Sequence, residues 1–257
     1  MAPMHAAQSV PSDNSLLYPW FMDVNESSLF SKELRAFIAE SPLNRPHIAR
    51  LVYDFARRLP PDARILDVGA GTAPYREFFQ PSRYVTSDWE NSIYDVARHS
   101  DVIGPISELP IADASFHAVI ATEVLEHVSD PLAALRELRR VLRPGGQIII
   151  TVPFVWELHE EPYDFFRYTR YGLQHLLVAA GFVDERVFDL GGYFSVIGQL
   201  VKNFGSITGV SATSSLVERA VAHVLVRLGP LFRALDRLDH RHGLPIGYAA
   251  WAESPRE

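Results

Sequence analysis

Short apolar runs and helical stripes alternate along most of this chain. Ser31 opens a helix-like run that Pro42 stops, and Arg45–Arg58 carries a second amphipathic pattern. The pattern then changes. Arg64–Val68 is a compact apolar run cut off by Gly69, which predicts a buried strand; Arg83–Asp88, the weaker Asp101–Gly104 and Phe116–Thr122 predict further strands. Pro131–Leu142 sets Leu132, Leu135, Leu138 and Leu142 on one helical face, and the turn Arg143-Pro144-Gly145-Gly146 leads into a strand over Gln147–Val152. Tyr171–Ala180 predicts another helix ended by Gly181, and Phe182–Phe188 and Gly247–Ala252 complete a set of seven strands.

Strands that alternate with helices of this length imply an α/β fold with a doubly wound, mostly parallel sheet. The expected organisation is a polar, Pro-containing N-terminus over 1–15 that is disordered, a helical segment over 16–60, a core over 61–190, a helical insertion over 191–245, and a last strand over 246–257. Within the insertion Val217, Val221, Val224, Leu228, Leu231, Leu235 and Leu238 keep helical spacing, which Gly229-Pro230 breaks into two helices. A buried cap, a homodimer face and a membrane-surface face all fit that stripe.

Charge narrows the partners. Twenty-four basic residues against 31 acidic ones leave a net charge of −7, which speaks against a general nucleic-acid or anionic-membrane binder. The chain has no cysteine, so disulfides and thiolate chemistry are excluded, and an intracellular setting is favoured. Its first basic side chain is Lys32, and Pro3 and Pro11 interrupt any apolar stretch before it, so no secretory leader is read. No run approaches the roughly 20 apolar residues of a membrane span. The expectation is a cytoplasmic protein that does not span a membrane.

The candidate chemistry sits where strands end, as expected for a sheet that binds ligands beyond its carboxyl edge. Ile65-Leu66-Asp67-Val68-Gly69-Ala70-Gly71-Thr72 is a strand running into a glycine turn that lets backbone approach a ligand. A dinucleotide fingerprint would need a third glycine where Pro74 stands, and Asp67 is a poor neighbour for a pyrophosphate. An acid there better suits a ligand carrying an amino group and a sulfonium. Asp88 ends the next strand, placed to accept both hydroxyls of a ribose. A nicotinamide oxidoreductase and a non-catalytic relative that binds a partner protein are the rival readings.

Asp67–Thr72 resembles the first motif of class I S-adenosylmethionine-dependent methyltransferases. Glu108-Leu109-Pro110-Ile111-Ala112-Asp113-Ala114-Ser115-Phe116-His117-Ala118-Val119 resembles their segment before and into the fourth strand, Glu123-Val124-Leu125-Glu126-His127-Val128 their "EVLEHV", and Leu142-Arg143-Pro144-Gly145-Gly146 their "LkPGG". The likeness covers about 64–153 and is nearest the UbiE/UbiG-like small-molecule group. The segment His159–Thr169 also resembles one found in bacterial members, some tied to surface-glycan pathways. The resemblance implies a Rossmann-like methyltransferase sheet and S-adenosyl-L-methionine as cofactor, held by Asp67, Gly69, Ala70, Gly71, Asp88, Trp89, Ser107, Glu108, Leu109, Thr122 and Glu123. The chain departs from the pattern at Ala73, where a third glycine is frequent, at His117, where an Asp is usual, and near Pro105, where an acid often meets adenine. That last contact would fall to Ser107, Glu108 or backbone.

For the acceptor side, His127 lies one helical turn beyond Glu123 and the two can share a face. It is read as a base or substrate contact, or as a packed, helix-capping histidine. The aromatic segment over 154–170 follows the fifth strand, where a lid would lie; His159, Tyr163, Arg167 and Tyr168 are its candidate acceptor contacts, with core packing as the plainer alternative. Arg167 could pair with an acidic acceptor or with Asp164. A hydroxyl acceptor needs a base, for which His127 and His159 are the candidates; an amine or carbon acceptor remains the alternative. The expected acceptor is a small molecule, glycan or lipid precursor. Glu123, Glu126 and His127 lack a further ligand set, so no metal is assigned.

Overall fold

The computed structural model describes residues 30–79, 83–90, 99–207, 228–239 and 243–257. The expected disordered N-terminus and the Val217, Val221 and Val224 positions lie outside the described residues. Helices begin where side-chain oxygens replace missing backbone acceptors. Ser31 Oγ accepts from the Leu34 N–H ahead of α1 (Lys32–Glu40), and Asp130 accepts from Ala133 ahead of α3 (Pro131–Val141). Between them α2 spans Arg45–Ala56, with Pro46 in its first turn. Thr169 caps α4 (Arg170–Ala180), which ends at Gly181 with φ of 89°.

The strands are β1 (Arg64–Val68), β2 (Arg83–Asp88), β3 (Val102–Ile103), β4 (Phe116–Thr122), β5 (Leu142–Pro153), β6 (Val183–Leu190) and β7 (Gly247–Glu253). They form one seven-stranded sheet in the order β3-β2-β1-β4-β5-β7-β6. The first five run parallel; β7 is antiparallel to both β5 and β6. Both faces are buried, so neighbouring residues on a strand serve opposite layers. Ile65, Ala118, Ile120 and Ile149 join Ile48, Val52 and Phe55 of α2. Leu66, Val119, Ile148 and Ile150 join Leu135 and Leu138 of α3 and Leu173 and Leu177 of α4.

One boundary differs from expectation. The predicted turn Arg143–Gly146 lies inside β5, where pairing jumps from Phe116↔Leu142 to Ala118↔Gln147. It is a bulge rather than a free turn. Gly145 supplies the left-handed φ of 70°, and its N–H reaches the carbonyls of Ser254 and Pro255 at 3.1 and 3.3 Å. The C-terminal segment therefore pins the bulge in place.

Of the segment after β6, α5 (Tyr193–Ile207) and α6 (Gly229–Leu235) are described. The buried Asp236 carboxylate accepts the N–H groups of Gly192, Phe194 and Ser195 at 2.9–3.0 Å, closing the start of α5. Leu231 and Leu238 of the predicted stripe point outward, 50% and 63% exposed. No helix among the described residues is long and apolar enough to cross a membrane.

Candidate active site

Strand order reverses between β1 and β4, and the carboxyl ends on either side of that point open into one cavity of about 320 Å³. At the end of β1, Gly69 has φ of 64°; a Cβ there would lie 2.4 Å from Val124 Cγ2. The glycine is required both by the backbone and by the close passage of the β4 loop. The turn is braced from β2: Asp88 Oδ2 accepts the Gly71 N–H at 3.0 Å while Oδ1 accepts that of Trp89 at 2.9 Å. Asp88 and Trp89 both line the cavity, with Gly104, Ile106 and Ser107 from the loop after β3.

Asp67 takes a different position. It is buried, and its Oδ2 accepts from the Tyr84 hydroxyl. Burial pushes its carboxyl up to about 7; the Tyr84 bond and Arg76 pull the other way, and Asp88 adds to the rise.

Beyond β4 the chain does not enter an α-helix. Glu123 sits at φ of 54°, its N–H donating to Thr151 O and Oγ1, and Leu125–His127 is a single 3-10 turn. The expected shared helix face of Glu123 and His127 is therefore replaced by a sharp corner, which still turns both onto the cavity wall. Asn44, at the start of α2, donates to Glu123 Oε2 at 3.1 Å, while Oε1 is buried with no hydrogen-bond partner among the described residues. Burial raises the Glu123 carboxyl, and burial followed by the Glu123 charge raises Glu126 well above the usual range.

The segment after β5 closes over this corner. Phe165 and Phe166 donate their N–H groups to Glu126 O at 2.9 and 3.2 Å, and the Tyr168 hydroxyl donates to Leu125 O at 2.9 Å. The Tyr163 ring meets Trp89 edge-on with centroids 5.0 Å apart, linking the lid to β2. His127 Nδ1 lies 3.1 Å from Tyr163 O, and the His127 and His159 rings meet at 4.7 Å. Burial lowers the His127 pKa. Asp164 sits beneath His159, its carboxylate accepting the His159 N–H at 3.0 Å. Burial would raise Asp164, but Arg167 and His159 outweigh it and hold the carboxyl down at about 2.

Residues 66–150 match the family described as "Methyltransferase domain". Over these residues the chain carries a methyltransferase domain. It is 30% identical over 141 residues to the malonyl-[acyl-carrier protein] O-methyltransferase of Serratia marcescens, covering 52% of this chain and 54% of that protein. It is 34% identical over 124 residues to the ubiquinone biosynthesis O-methyltransferase of Xanthomonas axonopodis pv. citri, covering 44% and 52%. The chain thus spans about half the length of these curated relatives. Its fold is shared with the [4+2]-cyclase SpnF, at a TM-score of 0.53 and 22% identity over 81% of each chain.

The methyltransferase domain's residues fit S-adenosylmethionine at the Gly69 turn, where a Cβ would fill the passage, and at the Asp88 carboxylate, which lines the cavity. Of the residues expected to hold it, Gly69, Asp88, Trp89, Ser107 and Glu123 line this cavity; Asp67, Ala70, Gly71, Glu108 and Thr122 do not. Leu109 is a correction. It is 4% exposed in the α3–α4 core layer, and its N–H is spent on Glu137 Oε1 at 2.7 Å. On the acceptor side His127 and Tyr163 line the cavity, and His159 stands against His127. Tyr168 is corrected to a core position, 5% exposed with its hydroxyl held by Leu125. Arg167 is corrected to a loop clamp. Its guanidinium donates to Asp164 at 2.5 and 2.7 Å and to the Glu157 and Phe166 carbonyls, each at 2.8 Å. Asn44 gave no signal in sequence, since its partner Glu123 lies 79 residues further along the chain.

Proposed function

We propose that this chain methylates a hydroxyl of a small molecule, glycan or lipid precursor, working as a cytoplasmic S-adenosylmethionine-dependent enzyme. The observation that carries the reading is one cavity lined by Gly69 and Asp88 together with His127 and Tyr163. When bound, the cofactor supplies a methyl group on a positively charged sulfur. The protein's part is positional: Asp88 and the glycine turn hold one partner while the aromatic lid orients the other and excludes water. A hydroxyl must also lose its proton. Burial favours the neutral form of His127, and the Nδ1 contact with Tyr163 O leaves Nε2 as its lone-pair atom, so the His127–His159 pair is where that proton is handled. Two of the relatives, the Serratia marcescens and Xanthomonas axonopodis pv. citri proteins, are O-methyltransferases, which supports an oxygen acceptor.

Calorimetry with S-adenosylhomocysteine tests the cofactor half. The wild-type protein should bind, and Asp88→Ala should weaken binding by about 1.5–3 kcal/mol through loss of charge-assisted hydrogen bonds. A folded wild-type protein that does not bind, or a folded variant with unchanged affinity, would refute the assignment. Labelled methyl donor in a host lysate, read by mass spectrometry for products one methyl heavier, then identifies the acceptor.

A further inference from the structure

Glu126 is fully buried, and neither of its carboxylate oxygens has a hydrogen-bond partner among the described residues. Protonation would remove its charge and still leave both oxygens unpartnered. Arg167 does not supply the partner, because its guanidinium is engaged by Asp164 and backbone carbonyls. What stands beside Glu126 is a pair of imidazoles. Glu126, His127 and His159 each offer one ligand atom, all within 4.8 Å of one another. His127 Nε2 is 3.8 Å from Glu126 Oε1.

Both rings are oriented from behind. His127 Nδ1 meets Tyr163 O at 3.1 Å; His159 Nδ1 meets Glu157 O and Asp164 Oδ2, each at 3.2 Å. A backbone carbonyl or carboxylate on one ring nitrogen fixes the tautomer that leaves the other nitrogen's lone pair free, the arrangement metal-bound histidines adopt. We infer that Glu126, His127 and His159 form a binding site for a divalent first-row transition-metal ion in the wall of the acceptor cavity. Two imidazoles with one carboxylate select that class over Mg²⁺ or Ca²⁺, which take oxygen ligands. Three protein ligands leave a coordination position open, and His127 lines the cavity, so the open position faces the acceptor. With the ion bound, His127 and His159 are its ligands rather than bases, and a hydroxyl oxygen entering the open position would lose its proton to water while its electron pair stays on oxygen, ready to attack a methyl carbon. The site stands on this geometry alone; its role in activating the acceptor rests on the hydroxyl reading above.

The test is metal uptake by the purified full chain after EDTA stripping, titrated with Zn²⁺ by calorimetry and with Co²⁺ by visible absorption. The expected result is one ion per chain, with Co²⁺ bands of an imidazole-containing site. Glu126→Gln and His159→Gln should each weaken binding at least tenfold, with unchanged circular dichroism. Asp88→Ala should keep the metal affinity and lose S-adenosylhomocysteine affinity, so the two readings fail separately. His159 has a part-exposed side chain, so His159→Gln decides the matter if Glu126→Gln does not fold. A folded wild-type protein that takes up neither ion, or folded variants that bind as tightly as wild type, would overturn the site.

Discussion

Replacing Gly69 with alanine tests two physical claims about the site at once. The first is strain: at φ of 64° an L-residue costs about 1–2 kcal/mol over glycine. The second is space. The new Cβ would sit 2.4 Å from Val124 Cγ2 and 3.0 Å from Cγ1, so a rotation about χ1 of the β-branched side chain trades one contact for another. Overpacking of this kind costs about 1–3 kcal/mol, which puts the sum for Gly69→Ala at roughly 2–5 kcal/mol. Urea unfolding of four proteins separates the parts: wild type, Gly69→Ala, Val124→Ala and the double variant. Removing the valine methyls should relieve the clash and leave the strain, so the double variant should be more stable than additivity predicts by about 1–3 kcal/mol. A single-variant loss under about 0.5 kcal/mol would refute the left-handed turn. Additivity within about 0.5 kcal/mol would refute the contact with Val124 and leave the strain standing.

Two further outcomes are expected. The Asp67 carboxyl, pushed up to about 7 by burial, prefers its proton when folded, whereas the unfolded chain releases it near 3.8. Its contribution to stability is therefore complete below pH 4 and lost as pH rises through 7, on the order of 4 kcal/mol at most; unfolding midpoints should fall more steeply over this window in wild type than in Asp67→Asn, and equal slopes would count against the raised pKa. Tyr168→Phe should lower stability by about 0.5–1.5 kcal/mol by removing one buried hydrogen bond from the Leu125 carbonyl, which keeps the Val128 N–H, with S-adenosylhomocysteine affinity unchanged; a drop in affinity without a drop in stability would return Tyr168 to the cavity wall.

The fold was legible because the sheet is buried on both sides. A run such as Phe116–Thr122 has to be apolar at nearly every position, and the helix over Pro131–Val141 has to carry one apolar stripe, so each element announces itself locally. Strand ends were legible for the same reason, and they located Gly69, Asp88 and Glu123 at one edge. The bulge at Arg143–Gly146 was not, because Gly145 in a turn and Gly145 in a bulge look alike until the Ser254 carbonyl is there to hold it.

The acceptor wall was the least legible part, and the reason is physical. A local pattern reports what a residue does to its own turn; it does not report which backbone atom a distant loop will offer. Leu109, Arg167 and Tyr168 are polar or motif-bearing positions whose hydrogen-bonding groups are consumed by Glu137, Asp164 and Leu125. Glu126 is the reverse case: a carboxylate inside a recognisable motif that the folded chain surrounds and, among the described residues, leaves without a hydrogen bond. The same lid makes both outcomes. By donating Phe165 and Phe166 N–H groups to the Glu126 carbonyl it seals the side chain from water, and by turning His159 against His127 it brings nitrogen donors to the oxygens it has sealed. The charge that burial disfavours and the ligands that would compensate it thus arrive through one loop. The chemistry of that wall is accordingly a property of the lid's docking on the β4 corner, not of the motif that first drew attention to it.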